Sequence, residues 1–218
     1  MGLEVKDLSK KYGDKTVVDH VSFSMEKPGV YALLGTNGAG KTTASYTFLP
    51  EILDCRDFVN SDEFAKSLSP FDPSSASVSA SRYMLMRIQY LLEHNADFSI
   101  ETTLATRSLV TIIRRAKEKD YKVTLIYLWL QSPELALQRV RNRVANGGHN
   151  IPEDVLRRRY RMGITYLFDT YIPLCDNWMI ADNTHPPFSV VAEGNKERTL
   201  IKDEEKFKKI RSLIANEQ

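Results

Sequence analysis

Apolar and polar positions change period several times along this 218-residue chain, and each change marks an element. Residues 3–8 alternate like an edge strand, residues 10–15 (KKYGDK) read as a turn, and residues 16–25 form a second period-two run closed by Lys27-Pro28-Gly29. Residues 31–34 are a short continuous apolar run ending at Gly35. After a helix that Pro50 is expected to end or kink, residues 57–60 read as a short strand, with Ser61 the expected N-cap of the next helix. Residues 69–79 (SPFDPSSASVS) are a Pro/Ser-rich loop. Met84, Ile88, Leu91 and Leu92 then recur at helical spacing over residues 81–94. Residues 98–100 form a strand ending at Glu101-Thr102-Thr103, and residues 109–119 a helix. The run VTLIYLW (123–129) is apolar almost throughout, as a central parallel strand buried on both faces must be. Ser132-Pro133-Glu134 opens a helix over 132–145, NGGHNIP (146–152) breaks it, and residues 153–171 are helical again. Residues 178–181 and 189–192 read as late strands, and 203–215 as a closing amphipathic helix. Strands alternating with helices predict a doubly wound α/β fold with a mainly parallel sheet. No internal repeat or low-complexity segment interrupts it.

The turn after residues 31–34 changes this picture from a fold to a binding site. Gly35 begins G-x-x-x-x-G-K-[ST], completed by Gly40, Lys41 and Thr42, with a strand before and a helix-competent run after. Glycines let successive backbone N–H groups curl around phosphate oxygens at a helix N-terminus. The stretch Gly35, Asn37, Gly38, Ala39, Gly40, Lys41, Thr42 and Thr43 therefore implies a nucleoside triphosphate, with Lys41 on the β- and γ-phosphates and the Thr42 hydroxyl on Mg²⁺. The domain expected is a P-loop NTPase.

Composition mostly excludes. The length suits one domain, and 42% hydrophobic with 27% charged residues describes an ordinary globular protein. A formal net charge of +2 argues against bulk binding to nucleic acid. Cys55 and Cys175 lack metal-ligand spacing and read as buried thiols in a cytoplasmic protein. The charged start MGLEVKDLSK has neither an apolar signal core nor the Ser/Thr of a myristoylation motif, and nothing predicts membrane insertion.

Three further groups carry candidate chemistry. Asp62 lies just past the strand after the phosphate-loop helix, at the sheet edge that faces phosphates, where a carboxylate can take the proton of an attacking hydroxyl; the alternative is a capping or solvated Asp. Glu101 ends the next strand beside Thr102 and Thr103, placed to bind Mg²⁺ or an acceptor hydroxyl, or else to cap the following helix. Arg139, Arg141, Arg143, Arg157, Arg158, Arg159 and Arg161 flank NGGHNIP, an arrangement suited to an Arg-rich helical lid closing on phosphates; two or three can reach one site and the rest face solvent. His149, in the break, is a lone loop histidine.

Two resemblances divide the chain. LEVKDLSKKYGDKTVVDHVSFSM followed by LLGTNGAGKTT (residues 3–43) resembles the opening of an ABC-transporter ATPase domain, which implies that Tyr12 stacks on adenine. No LSGGQ-like signature, apolar run before Asp-Glu, or Gln-loop follows, and without the signature the ABC sandwich dimer cannot form. From about 34 to 194 the chain resembles the zeta-toxin-like P-loop kinases, on GTNGAGKTT, FVNSDEFAKSLSPF, IETTLATRSLV, RVRNRVANGGHNIPEDVLRRRY and PLCDNWMIADNT. That resemblance implies ATP and Mg²⁺ on Lys41 and Thr42, Asp62 as base, Glu101 and Thr103 as the acceptor-binding pair, and Arg143 with Arg158 or Arg159 on phosphates. It further implies a nucleotide-sugar acceptor such as UDP-N-acetylglucosamine and an antitoxin partner. This chain departs from such relatives at Thr165-Tyr166, where they commonly carry Arg-Asn, and in its ABC-like front. The expectation is an antiparallel β-layer over 1–28 and a kinase domain over 29–218, with the lid at about 139–161. An ABC-type ATP-hydrolysing module acting through a partner is the alternative.

Overall fold

A computed structural model describes residues 2–12, 14–26, 29–48, 55–148 and 150–215. Strands β1 (Gly2–Tyr12) and β2 (Lys15–Glu26) pair antiparallel as a separate two-stranded sheet. The KKYGDK segment is thus mostly strand, because cross-strand pairing extends to Tyr12 and Lys15 and confines the turn between them. Strand β3 (Gly29–Gly35) leads into helix α1 (Lys41–Phe48). The expected effect of Pro50 on that helix lies outside the described residues.

The chain continues through β4 (Phe58–Val59), α2 (Ser61–Leu68), α3 (Ser77–Glu93), β5 (Phe98–Thr102), α4 (Ser108–Lys117), β6 (Lys122–Trp129), α5 (Pro133–Ala145) and α6 (Glu153–Tyr166). A π-helical segment Leu167–Tyr171 and the short α7 (Ile172–Leu174) follow, then β7 (Asn177–Asp182), β8 (Ser189–Asn195), β9 (Thr199–Ile201) and α8 (Glu204–Ala215). The sequence pattern missed β9, three half-exposed residues that alternation cannot mark. It also ran the long helix unbroken to residue 171, where the backbone widens to π geometry from Leu167.

The seven-stranded sheet has the order β4-β5-β3-β6-β7-β8-β9. It is parallel from β4 to β7 and antiparallel at β7-β8-β9. Burial explains why β3 and β6 carry no polar stripe. Val30, Ala32 and Leu34 enter one core while Tyr31 and Leu33 enter the other; likewise Leu125, Tyr127 and Trp129 oppose Ile126 and Leu128. Alternate residues of a central parallel strand face helices on both sides, so an apolar side chain is needed at nearly every position. Ile88, Leu91 and Leu92 of α3 and Leu109, Ile112 and Ile113 of α4 close the first core, whereas Ala136, Leu137 and Val140 of α5 close the second.

One helix belongs to both. Leu156, near the start of α6, packs into the α5 core, and Tyr160 and Ile164 pack into the opposite one. Helix α6 therefore passes across the edge of the sheet rather than lying on one face. Trp129, at the carboxyl end of β6, donates through Nε1 to the Tyr160 hydroxyl at 3.1 Å, which donates to the Leu130 carbonyl at 2.6 Å, so the edge crossed is the carboxyl one.

Candidate active site

The site forms where β3 and β5 end side by side. Their register pairs Leu34 with Thr102, which sets the start of the phosphate loop next to Glu101. This is the crevice at the carboxyl ends of parallel strands where ligands of open α/β sheets bind. The loop from Gly35 turns tightly: the Ala39 N–H donates to the Thr36 carbonyl at 3.1 Å, and Gly38 and Gly40 both adopt φ +80°, a region glycine enters without a Cβ penalty. The Thr36 hydroxyl and the Asn37 side-chain carbonyl are buried with no hydrogen-bond partner among the described residues.

Three predicted residues touch or nearly touch. The Thr42 hydroxyl lies 3.0 Å from each Glu101 carboxylate oxygen, and Asn60 Nδ2 donates to Glu101 Oε2 at 2.9 Å. Burial is the main influence on Glu101 and raises its pKa; Lys41 and the Thr42 hydrogen bond pull it back down. Lys41 is buried, its Nζ donating to the Thr36 carbonyl at 3.1 Å. Burial lowers its pKa most, Glu101 and Asp62 raise it, and Arg143 and Arg159 lower it. Asp62, Glu101, Arg143 and Arg159 thus all act electrostatically on one ammonium group.

Asp62 is exposed in the first turn of α2. The cap of that helix is Asn60 and not Ser61: Asn60 Oδ1 accepts from the Asp62 N–H at 2.8 Å, and the Asn60 backbone is extended as an N-cap requires. Asn60 thus fixes both Asp62, through its oxygen, and Glu101, through its nitrogen. Sequence reasoning passed over it, although its place between a strand end and a helix start was the available signal.

The arginines flanking the break divide by contact. Arg139 bonds main-chain carbonyls of Gly38, Asn183 and Thr184. Arg157 bonds Glu134 at 2.6 Å and Glu153 at 2.8 Å, and Arg141 reaches Glu153 at 3.4 Å, so these two tie α5 to α6. Arg143 and Arg159 join the field at Lys41. Arg158 is exposed on the next position of α6, and Arg161 is exposed as well. Thr102 and Thr103 are half-buried at the end of β5 and just beyond it, and Thr43 is exposed on α1. The Tyr12 side chain and His149 lie outside the described residues. At Thr165-Tyr166, the Arg107 guanidinium sits over the Tyr166 ring, 5.4 Å from its centroid. Among the described residues, no helix is long and apolar enough to cross a membrane.

A phosphate loop at the centre of a mainly parallel sheet, with acidic residues at or just past the ends of the next two strands, defines a P-loop kinase. The Zeta toxin family matches residues 14–164, and the chain belongs to it. The match starts just before β2, earlier than the resemblance read from the sequence, and ends before β7. A Haemophilus influenzae protein is 32% identical over 126 residues, which are 58% of this chain and 88% of that protein. The energy-dependent translational throttle protein EttA of the same organism is 49% identical over only 41 residues, 19% of this chain and 7% of EttA. Among solved structures, a chain of the AvrRxo1-ORF1:-ORF2 complex with ATP aligns at a TM-score of 0.68 and 20% identity, covering 85% of this chain and 64% of that one. A chain of the PezAT chromosomal toxin-antitoxin system of Streptococcus pneumoniae aligns at a TM-score of 0.60 and 19% identity, covering 88% and 81%. At such identities these two likenesses concern the fold.

Proposed function

We propose that this chain transfers the γ-phosphoryl group of ATP to a hydroxyl of a small molecule, a nucleotide sugar such as UDP-N-acetylglucosamine, and that an antitoxin protein restrains it. The observation that carries the reading is the Thr42–Glu101–Asn60 cluster with Lys41 and Asp62 beside it. The phosphate loop holds the triphosphate, with Lys41 as counter-charge. Asp62 takes or orients the acceptor hydroxyl proton, and Glu101 with Thr102 and Thr103 holds the acceptor. Arg143, Arg159 and Arg158 of the lid neutralise charge on the transferring group and exclude water.

The Thr42 hydroxyl and Glu101 carboxylate present hard oxygen donors, which fit Mg²⁺ better than a softer metal. Bound there, the ion would neutralise charge on the β- and γ-phosphates. Support for ATP comes from the family and from the AvrRxo1 relative in fold determined with ATP; support for an antitoxin comes from the PezAT toxin-antitoxin neighbour.

The test is ATP consumption with Mg²⁺, with and without UDP-N-acetylglucosamine, followed by phosphorus NMR of the products. A new sugar-phosphate signal is expected only with acceptor present. Lys41→Ala should lose turnover, and Asp62→Asn should keep nucleotide binding but lose phosphorylation; an active Asp62→Asn enzyme sinks the base assignment. The second reading, an ABC-type hydrolysing module, is favoured by the 41-residue EttA match. It requires acceptor-independent hydrolysis and loss of nucleotide affinity in Tyr12→Ala.

A further inference from the structure

A phosphate loop binds anions only if its N–H groups face inward, which turns its carbonyls outward and leaves them to be satisfied from outside. In this chain four of those carbonyls have partners. Thr36 O accepts from Ala39 N–H and from Lys41 Nζ, and Gly40 O accepts the first helical bond of α1, from Ala44 N–H at 2.9 Å. Of the three between them, Gly38 O and Ala39 O are reached by side chains distant in sequence. Arg139 Nη1 donates to Gly38 O at 3.4 Å, and Asn183 Nδ2 donates to Ala39 O at 2.7 Å.

Asn183 is itself held. It follows Asp182, the last residue of β7, and its own N–H donates to the Trp129 carbonyl at 2.9 Å at the end of β6. Arg139 Nη2 donates to the carbonyls of Asn183 and Thr184, both at 2.9 Å. Thr184 Oγ1 accepts from Gln131 N–H at 3.1 Å, and Thr184 N–H donates to Asp182 Oδ1 at 2.8 Å. The turn that presents the Asn183 amide is therefore pinned to two strand ends and to α5. The loop glycines fit this brace closely. A Cβ on Gly40 would stand 2.8 Å from Asn183 Nδ2, and one on Gly38 would stand 2.9 Å from the Ala136 carbonyl and 3.3 Å from Arg139 Cβ.

We propose that Asn183, with Arg139 behind it, is a positioning residue for the triphosphate. By holding Ala39 O and Gly38 O outward it fixes the peptides whose N–H groups face the phosphates. The proposal rests on the reading that ATP occupies this loop, and it removes Arg139 from the arginines that close over the substrate. Neither residue need touch ATP. The brace acts on the part of the ligand in the loop, so its loss should be felt by phosphates and not by the nucleoside.

The experiment uses the full chain with Mg²⁺ and measures dissociation constants for ATP and for adenosine by calorimetry, with thermal melts of each variant. Asn183→Ala removes the donor and Arg139→Lys keeps the charge but cannot serve three carbonyls, so neither weakens ATP by removing positive charge. Leaving a buried carbonyl unpaired should weaken ATP by roughly ten-fold in Asn183→Ala, with adenosine unchanged. Arg139→Lys should show the same selectivity and keeps the proposal testable if Asn183→Ala does not fold. ATP affinity within two-fold of the parent in both variants overturns the proposal. So does a parallel loss for ATP and adenosine, the mark of general damage or of direct contact with the base. A parent chain that binds neither ligand overturns the ATP reading, and the proposal with it.

Discussion

Glu101 shows how one carboxylate is kept ready and what that costs the free protein. It is mostly removed from water, and its nearest compensation is a hydroxyl, an amide and the Lys41 ammonium. Because burial raises its pKa above the usual 4.5, the folded state holds this proton to higher pH than the unfolded chain does. The sign follows. Between the unfolded pKa and the raised folded value the native state binds more protons, so stability falls as pH rises through that window. Melting temperatures of the parent should decline just above pH 4.5, and Glu101→Gln should flatten that part of the profile. A profile identical in the two proteins would mean that solvent compensates Glu101 fully. The same substitution should remove phosphotransfer, since a neutral amide no longer balances the Lys41 charge.

At the scale of elements, α5 and α6 decide which arginines can serve the site. Helix α5 starts at a designed-looking cap: Ser132 is extended, its Oγ accepts from Leu135 N–H at 3.2 Å, and Pro133 takes the first turn, where a missing N–H costs nothing. Ser132→Ala should cost about 1 kcal/mol, the usual worth of an N-cap. In a chain of this size that lowers the melting temperature by about 2–4 °C, which calorimetry resolves. Helix α6 lacks a side-chain cap of its own. Its N-terminal turn is instead tied to α5 through Glu153–Arg157–Glu134, an exposed ion-pair chain that steers more than it stabilises. The packing of Leu156 in one core and of Tyr160 and Ile164 in the other takes α6 over the carboxyl edge, and Arg159 on that helix acts electrostatically on Lys41.

For the whole molecule, the loop, the two acidic strand ends, α5 and the turn after β7 are separate in sequence and meet only in the folded state. A ligand held by residues that only the fold assembles binds the native chain and not the unfolded one, so ATP with Mg²⁺ should stabilise the protein. At one hundred times the dissociation constant the gain is about 2.7 kcal/mol, or roughly 5–10 °C in melting temperature for a domain of this length. Thermal scans at rising ATP concentration check this, and Lys41→Ala should show little shift. The front hairpin shares no strand ladder with the seven-stranded sheet: among the described residues β1 and β2 pair with each other, while β2 lies close to β6 and β8.

Much of this was legible in the chain itself. The phosphate loop, the buried runs at 31–34 and 123–129, and the carboxylates at strand ends are local patterns, because a parallel sheet buries its central strands on both faces and binds ligands where they end. The sequence could count seven arginines but not sort them, since what separates Arg139 from Arg159 is which carbonyl or ammonium each meets across the fold. Asn183 was invisible for the same reason, and of Asn60 only the capping position could be read, not its bond to Glu101. An amide is chemically unremarkable until the structure shows the Glu101 carboxylate or the Ala39 carbonyl at the other end of its hydrogen bond.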